Sequence, residues 1–305
     1  GAFSLSPNAG KLVYVLTNAG LRLQATSVGA TPSQIPLTGA STSDTNPQFS
    51  PDGGTIYFLG NRKREGEKRP PYDGKAQVWQ IGVNGQGLKA VTRLDSGVEG
   101  YELARDGKSL YYLVHIDKIE DDWSGLRSKF SKLDYGHGQN RHGQIWKLDL
   151  ESFRAVKLID AGRNIREFTV SRNGQRVAMI TTPDDKVVSF EGQSRVDVWD
   201  ALTDKITTVP EKVYRKEMPS PYAWLEHVAW NTNGDKLAFN AIFDGYPAEI
   251  VIAEFKDDSI FATKMARPKN LHVRGYGSPL VWYGADHLYF LAEQKGRVRL
   301  TGVIQ

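Results

Sequence analysis

A short hairpin signature recurs six times along this chain, and it restricts the possible fold more than any other feature. Its first copy is Ser6-Pro7-Asn8-Ala9-Gly10-Lys11-Leu12, and its fullest is Ser50-Pro51-Asp52-Gly53-Gly54-Thr55-Ile56. It returns as Ala104-Arg105-Asp106-Gly107-Lys108-Ser109-Leu110, Ser171-Arg172-Asn173-Gly174-Gln175-Arg176-Val177 and Asn231-Thr232-Asn233-Gly234-Asp235-Lys236-Leu237. A sixth copy, one residue shorter, runs Trp282-Tyr283-Gly284-Ala285-Asp286-His287-Leu288. In the five full copies an apolar residue (Leu5, Phe49, Leu103, Val170, Trp230) precedes an Asn or Asp by three positions. Gly follows that Asx directly in four of them and one position later, at Gly10, in the first. Asx-Gly accepts positive φ, so each copy predicts a tight turn between antiparallel strands.

The strands around the turn follow from alternation. A second strand starts at Leu12, Ile56, Leu110, Val177, Leu237 and Leu288, and puts Tyr14, Phe58, Tyr112, Met179, Phe239 and Phe290 on the same face. A third strand reads Gln77–Ile81, Gln144–Leu148, Asp197–Trp199 and Ala248–Ile252, and a short fourth Gln34–Leu37, Ala90–Thr92, Ala155–Leu158 and Ile206–Val209. Four antiparallel strands per unit make a propeller blade; an ordinary sandwich has no reason to repeat one hairpin six times. The sequence therefore predicts an all-β fold, a β-propeller of four-stranded antiparallel blades. It shows five full repeats and a partial sixth, with blades starting near residues 3, 46, 98, 165, 225 and 279 of a single domain over 1–305. After Leu291 only one more strand fits, Arg297–Thr301, and no outer strand precedes Ala2–Leu5. Proteins avoid such open strand edges, so the expectation is a fragment of a ring of roughly six to eight blades.

Successive second-strand anchors lie 44, 54, 67, 60 and 51 residues apart. The shortest spacing suits a bare blade and the rest is inserted loop. The longest insertion falls in the third blade, mostly between Val114 and Gly143. Trp79, Trp146 and Trp199 share one third-strand position and read as inter-blade packing, whereas the surroundings of Trp224 are not legible.

Composition removes several classes of function. A hydrophobic fraction of 40% with 24% charged residues is that of a folded protein. No apolar stretch approaches the ~18 residues of a spanning helix, so no membrane partner is expected. The net charge is only +4. The densest basic stretch, Arg62-Lys63-Arg64 with Lys68 and Arg69, is broken by Glu65 and Glu67 and has one aromatic, Tyr72, within reach. It reads as a solvated loop, and no nucleic-acid partner is expected. There is no cysteine, hence no disulfide and no thiolate site. Gly1 in place of an initiator Met indicates a processed or cut N-terminus, and a periplasmic or secreted location is favoured over the cytoplasm. Asp134, His137 and His142 lie in a glycine-rich stretch that reads as flexible loop, not a metal site; no cofactor is expected.

Ser-Pro-Asp-Gly followed by an apolar strand resembles the repeat of two families, the TolB-type propellers and the propeller of the prolyl oligopeptidase (S9) serine peptidases. Gln77–Ile81, Leu88–Thr92, Asp106–Tyr112 and the insertion ending Arg141–Leu150 resemble the acylaminoacyl-peptidase and dipeptidyl-peptidase members. Trp199-Asp200 is similar to a WD40 strand end, but its Gly-His partner is missing and the period differs. The S9 resemblance implies a non-catalytic propeller that gates and filters access to an α/β-hydrolase domain expected C-terminal to it. The partners it implies are that domain and peptide substrates. The alternative is a stand-alone TolB-like interaction scaffold. The hydrolase's nucleophile elbow, Gly-x-Ser-x-Gly, is absent here: Gly39-Ala40-Ser41-Thr42-Ser43 and Gly192-Gln193-Ser194-Arg195 lack the closing Gly. No segment has helical periodicity over three turns. The chain alone is thus expected to be no enzyme, and its parent a serine peptidase. Because some dipeptidyl-peptidase relatives hold the substrate amine with propeller carboxylates, the resemblance also singles out the acidic cluster Glu120-Asp121-Asp122 with Trp123 as substrate or domain contacts.

Overall fold

A computed structural model describes residues 3–26, 34–39, 43–118, 125–126, 128–131, 140–256 and 259–305. Glu120, Asp121, Asp122, Trp123, Asp134 and His137 lie outside the described residues.

The hairpin signature works as the spacing requires, with a slightly wider turn. In the second copy Ser50 N–H donates to Thr55 O and Gly53 N–H to Ser50 O. Ser-Pro-Asp-Gly is therefore a type I turn, with Pro at its favoured second position and Gly in the left-handed conformation after it (φ 71°). The Asp52 carboxylate takes the Ser50 hydroxyl (2.5 Å) and the Gly54 N–H (2.9 Å), and Ser50 Oγ takes the Thr55 N–H (3.0 Å). Ser6 with Asn8, and Ser171 with Asn173, repeat that network. In the fifth copy a single Asn231 side chain accepts from Gly234, Asp235 and Lys236. The register then pairs Leu5 with Leu12, Phe49 with Ile56, Leu103 with Leu110, Val170 with Val177 and Trp230 with Leu237.

The chain divides into two compact units, residues 1–115 with 144–158, and 116–143 with 159–305. Centred in the first unit are three four-stranded antiparallel sheets. They are β1 (Phe3–Leu5), β2 (Lys11–Leu16), β3 (Gly20–Ala25) and β4 (Gln34–Pro36); β5 (Ser43–Phe49), β6 (Thr55–Lys63), β7 (Asp73–Gly82) and β8 (Lys89–Ala90); and β9 (Gly100–Leu103), β10 (Ser109–Lys118), β11 (Asn140–Asp149) and β12 (Ala155–Asp160). The second unit begins with β13 (Asn164–Val170), β14 (Arg176–Thr182), β15 (Arg195–Asp200) and β16 (Lys205–Thr208), with short helices α1 (Val187–Gly192) and α2 (Lys212–Arg215). Next come β17 (Trp224–Trp230), β18 (Lys236–Phe243), β19 (Tyr246–Lys256) and β20 (Ser259–Lys264), then β21 (His272–Val273), β22 (Val281–Tyr283), β23 (His287–Gln294) and β24 (Arg297–Ile304). β21 pairs both β19 and β23 and joins these last blades into one sheet. β20 and β21 carry no signal read in the sequence. Among the described residues no helix is long and apolar enough to cross a membrane.

Strand alternation makes each inner blade two-faced. Ile56 and Phe58 of β6 pack with Val13, Leu21, Leu23 and Trp79, while Tyr57, between them, joins Val78, Leu103, Leu110 and Tyr112 on the other side. In the second unit Leu237 and Phe239 of β18 pack with Ile180, Val196 and Val198, and Ala238 with Leu288 and Phe290. In blade six, Leu300 and Ile304 of β24 are 70% and 76% exposed.

Three expectations need correction. Val83, Leu150 and Ala201 each donate to the carbonyl two residues before a second-strand anchor, which aligns the third strands. Trp79 and Trp146 then share a position, but Trp199 lies two residues later, opposite Val177, and Asp197 takes the tryptophan's place. Arg62 is no solvated loop residue. It ends β6 with only 9% of its side chain exposed, pairs with the fully buried Asp44 at 2.9 Å, and stacks over Trp79 at 4.6 Å. His142 lies on β11, not in a loop.

Candidate functional site

The second unit gathers ionisable and aromatic side chains where the first strands of two of its blades begin. Two neighbouring strands start there, β13 and β17, and both are irregular: the register slips between Ile165 and Glu167, and again between Glu226 and Ala229. The Glu167 carboxylate spans the gap between the blades, accepting the His227 N–H (2.9 Å) and the Val228 N–H (2.8 Å). It thereby holds His227 at φ 58°, a conformation histidine tolerates better than most residues. Burial pushes the Glu167 carboxyl above its ordinary range, and the two amides and His227 oppose that shift.

Around this clamp each side chain has a defined partner. Glu226 accepts the Trp224 indole N–H (2.7 Å) and the Gly277 N–H (2.9 Å), and its Oε2 lies 3.6 Å from His227 Nε2. The Arg166 guanidinium stacks on Phe190 of α1 (4.1 Å) and on Trp224 (4.5 Å), and donates to Leu225 O (3.3 Å). Burial lowers its pKa while Glu226 and Glu167 raise it; an arginine stays charged throughout. Phe190 and Tyr276 each meet Trp224 edge-on, at 5.3 and 6.1 Å. The Tyr276 hydroxyl donates to Asp244 (3.1 Å), and burial followed by Asp244 raises its pKa.

The arrangement brings carboxylate, guanidinium and aromatic surface together. Among the described residues no hydroxyl is hydrogen-bonded to the His227 imidazole. A carboxylate, a stacked guanidinium and three rings fit a ligand with both charge and apolar surface. None of the described residues forms a group of three or more His, Cys, Asp or Glu placed to hold a metal ion. Of these residues the sequence drew attention only to Trp224. The others come from separate blades, and only the charges of Arg166 and Glu167 inside a strand hinted at them. Glu120, Asp121, Asp122 and Trp123, which the sequence did single out, lie outside the described residues. In chain order their insertion falls between β10 and β11, as α1 falls between β14 and β15.

No protein-family model matches this sequence, and comparison with curated proteins finds no relative. Solved structures do resemble it. TolB from Acinetobacter baumannii aligns over 97% of this chain and 64% of its own, with TM-score 0.53 and 13% identity. Acylaminoacyl peptidase from Pyrococcus horikoshii aligns over 96% of this chain and 43% of its own (TM-score 0.58, 15% identity). Oligogalacturonate lyase from Vibrio parahaemolyticus aligns over 99% and 76% (TM-score 0.59, 10% identity). At these identities the likeness establishes the fold, a β-propeller of four-stranded antiparallel blades. The chain spans 64% of the TolB and less than half of the peptidase.

Proposed function

We propose that this chain is the propeller of a prolyl-oligopeptidase-type serine peptidase, filtering peptide access to an α/β-hydrolase domain that follows it in the parent protein. The observation that carries the reading is a mismatch of coverage. The likeness to acylaminoacyl peptidase takes in nearly all of this chain but leaves more than half of the peptidase unmatched, and this sequence has no Gly-x-Ser-x-Gly elbow. The chemistry then belongs to the unmatched part and selection to the propeller. Blade strands are committed to packing, so peptide contacts fall to strand starts and loops. Arg166 suits a carboxylate or carbonyl of the peptide, Glu226 an amine, and Trp224 with Tyr276 an apolar side chain. Glu120, Asp121, Asp122 and Trp123 are further contacts for the peptide or the hydrolase domain.

The TolB likeness supports a second reading, a stand-alone scaffold for protein partners. A fluorophosphonate separates the two. The product of the whole reading frame should be labelled at a serine outside residues 1–305, and the present chain should not be. A whole product that takes no label and cleaves no peptide would leave the scaffold; label on the present chain would overturn both readings.

A further inference from the structure

The first unit holds a cavity of about 500 Å3, remote in sequence from the strand-start cluster and lined by Val91, Arg93, Leu94, Tyr112, Leu148 and Phe153 among others. Its volume is in the range that takes a small molecule. Three of its residues bear on what it could hold.

Phe153 is the first. It sits in the turn from β11 to β12 with φ 56° and donates its N–H to Asp149 O. The corresponding turn of the fourth blade is closed by the same bond, Asp204 N–H to Asp200 O, with Asp204 at φ 52°. Aspartate enters the left-handed region readily, and a bulky aromatic does so only under strain. The turn does not need a phenylalanine, yet it holds one with 51% of its surface exposed at the cavity. Strain of this kind is a pointer to use.

Tyr112 is the second. Its ring stacks on Trp146 (6.5 Å, 6° between planes) and only 3% of the residue is exposed. Its hydroxyl makes no hydrogen bond to any described residue, and burial alone raises its pKa. The hydroxyl is thus left free to bond a water or a ligand in the cavity that Tyr112 lines. Arg93 is the third: an exposed guanidinium on the cavity wall with no ion pair among the described residues. A second cation, Lys89 Nζ, lies 5.9 Å from the Phe153 ring. No carboxylate lines the cavity, and nearby Asp149 is engaged by the Ser152 hydroxyl and the Glu151 and Ser152 amides.

We infer that this cavity binds an aromatic carboxylate, its ring against Phe153 and the wall of Val91, Leu94 and Leu148, its carboxylate between the Arg93 guanidinium and the Tyr112 hydroxyl. The same chemistry is offered by a free aromatic acid and by the carboxy-terminal aromatic residue of a peptide. The probes are N-acetylphenylalanine, its amide, and acetyl-Ala-Ala-Phe, titrated calorimetrically into the chain. The acid should bind saturably and the amide roughly tenfold or more weakly, because the charge-assisted bonds are lost. A tripeptide as good as the acid marks a peptide terminus; one that binds like the amide marks a free acid.

The variants carry little risk of unfolding. Arg93→Gln removes an unpaired surface charge, Tyr112→Phe an unbonded hydroxyl, and Phe153→Asn replaces a strained residue with one that suits the turn. Each should weaken the acid several-fold, while Phe153→Asn melts at the same temperature or higher. A variant more stable yet less able to bind is not what a merely structural Phe153 would give. No saturable binding, equal binding of acid and amide, or variants that bind like the parent would overturn the inference.

Discussion

In the first hairpin the glycine comes one position late, so Ala9 must hold the left-handed backbone (φ 54°) that Gly53, Gly107, Gly174 and Gly234 hold in later copies. That conformation costs an L-residue about 1–2 kcal/mol, and glycine avoids most of it at some entropic expense. Ala9→Gly should therefore stabilise the chain by about 0.5–1 kcal/mol, seen as a higher urea midpoint with unchanged slope. At Asp44 and Arg62 the logic is reversed, because removing one partner strands a buried charge. Asp44→Ala should cost about 3–5 kcal/mol, and the joint replacement of both by apolar residues considerably less, which a double-mutant cycle measures. Asp52 links a turn to pH. The Ser50 hydroxyl and then the Gly54 amide hold its carboxyl below the ordinary 3.8. The folded chain binds this proton less readily than the unfolded one, so its contribution is full above the unfolded pKa and is lost as pH falls through the folded value. Wild type should lose urea resistance on acidification below about pH 4 more steeply than Asp52→Asn does.

A blade strand serves two interfaces, and substitution should reveal which are occupied. Phe239, fully buried with Tyr214 edge-on at 5.6 Å, should cost about 3–5 kcal/mol on replacement by alanine. Leu300 on the exposed face of β24 should cost well under about 1 kcal/mol. A core-sized loss at Leu300 would mean that this face is covered in solution. The elements themselves were legible because one local rule fixes each: Ser-Pro-Asp-Gly sets the turn, and the apolar residue on either side sets the register. β20 is not legible because its strand, Ser259–Lys264, follows Asp257-Asp258 and lacks the Asx-Gly turn that marks the repeat. The register of Trp199 is not legible because the third strands carry no marker of it in sequence, only hydrogen bonds to the turn before them. The strand-start cluster was invisible for a different reason. Arg166, Trp224, Glu226 and Tyr276 meet through blade stacking and two bulges, and no spacing in the sequence encodes either.

For the molecule as a whole, the fold is that of a propeller and the likeness to acylaminoacyl peptidase leaves the larger part of that protein unmatched. On the function proposed above, binding belongs to this chain and bond-breaking to a serine outside it. The measurement that tests this most directly is kcat and KM of the whole-gene product on a peptide substrate, for wild type and for Arg166→Ala with Glu226→Gln. The account predicts a KM raised about tenfold or more, with kcat and the rate of fluorophosphonate labelling unchanged, since the variants remove binding and leave the nucleophile intact. Loss of kcat and of labelling in that folded variant would place the chemistry in the propeller and contradict it.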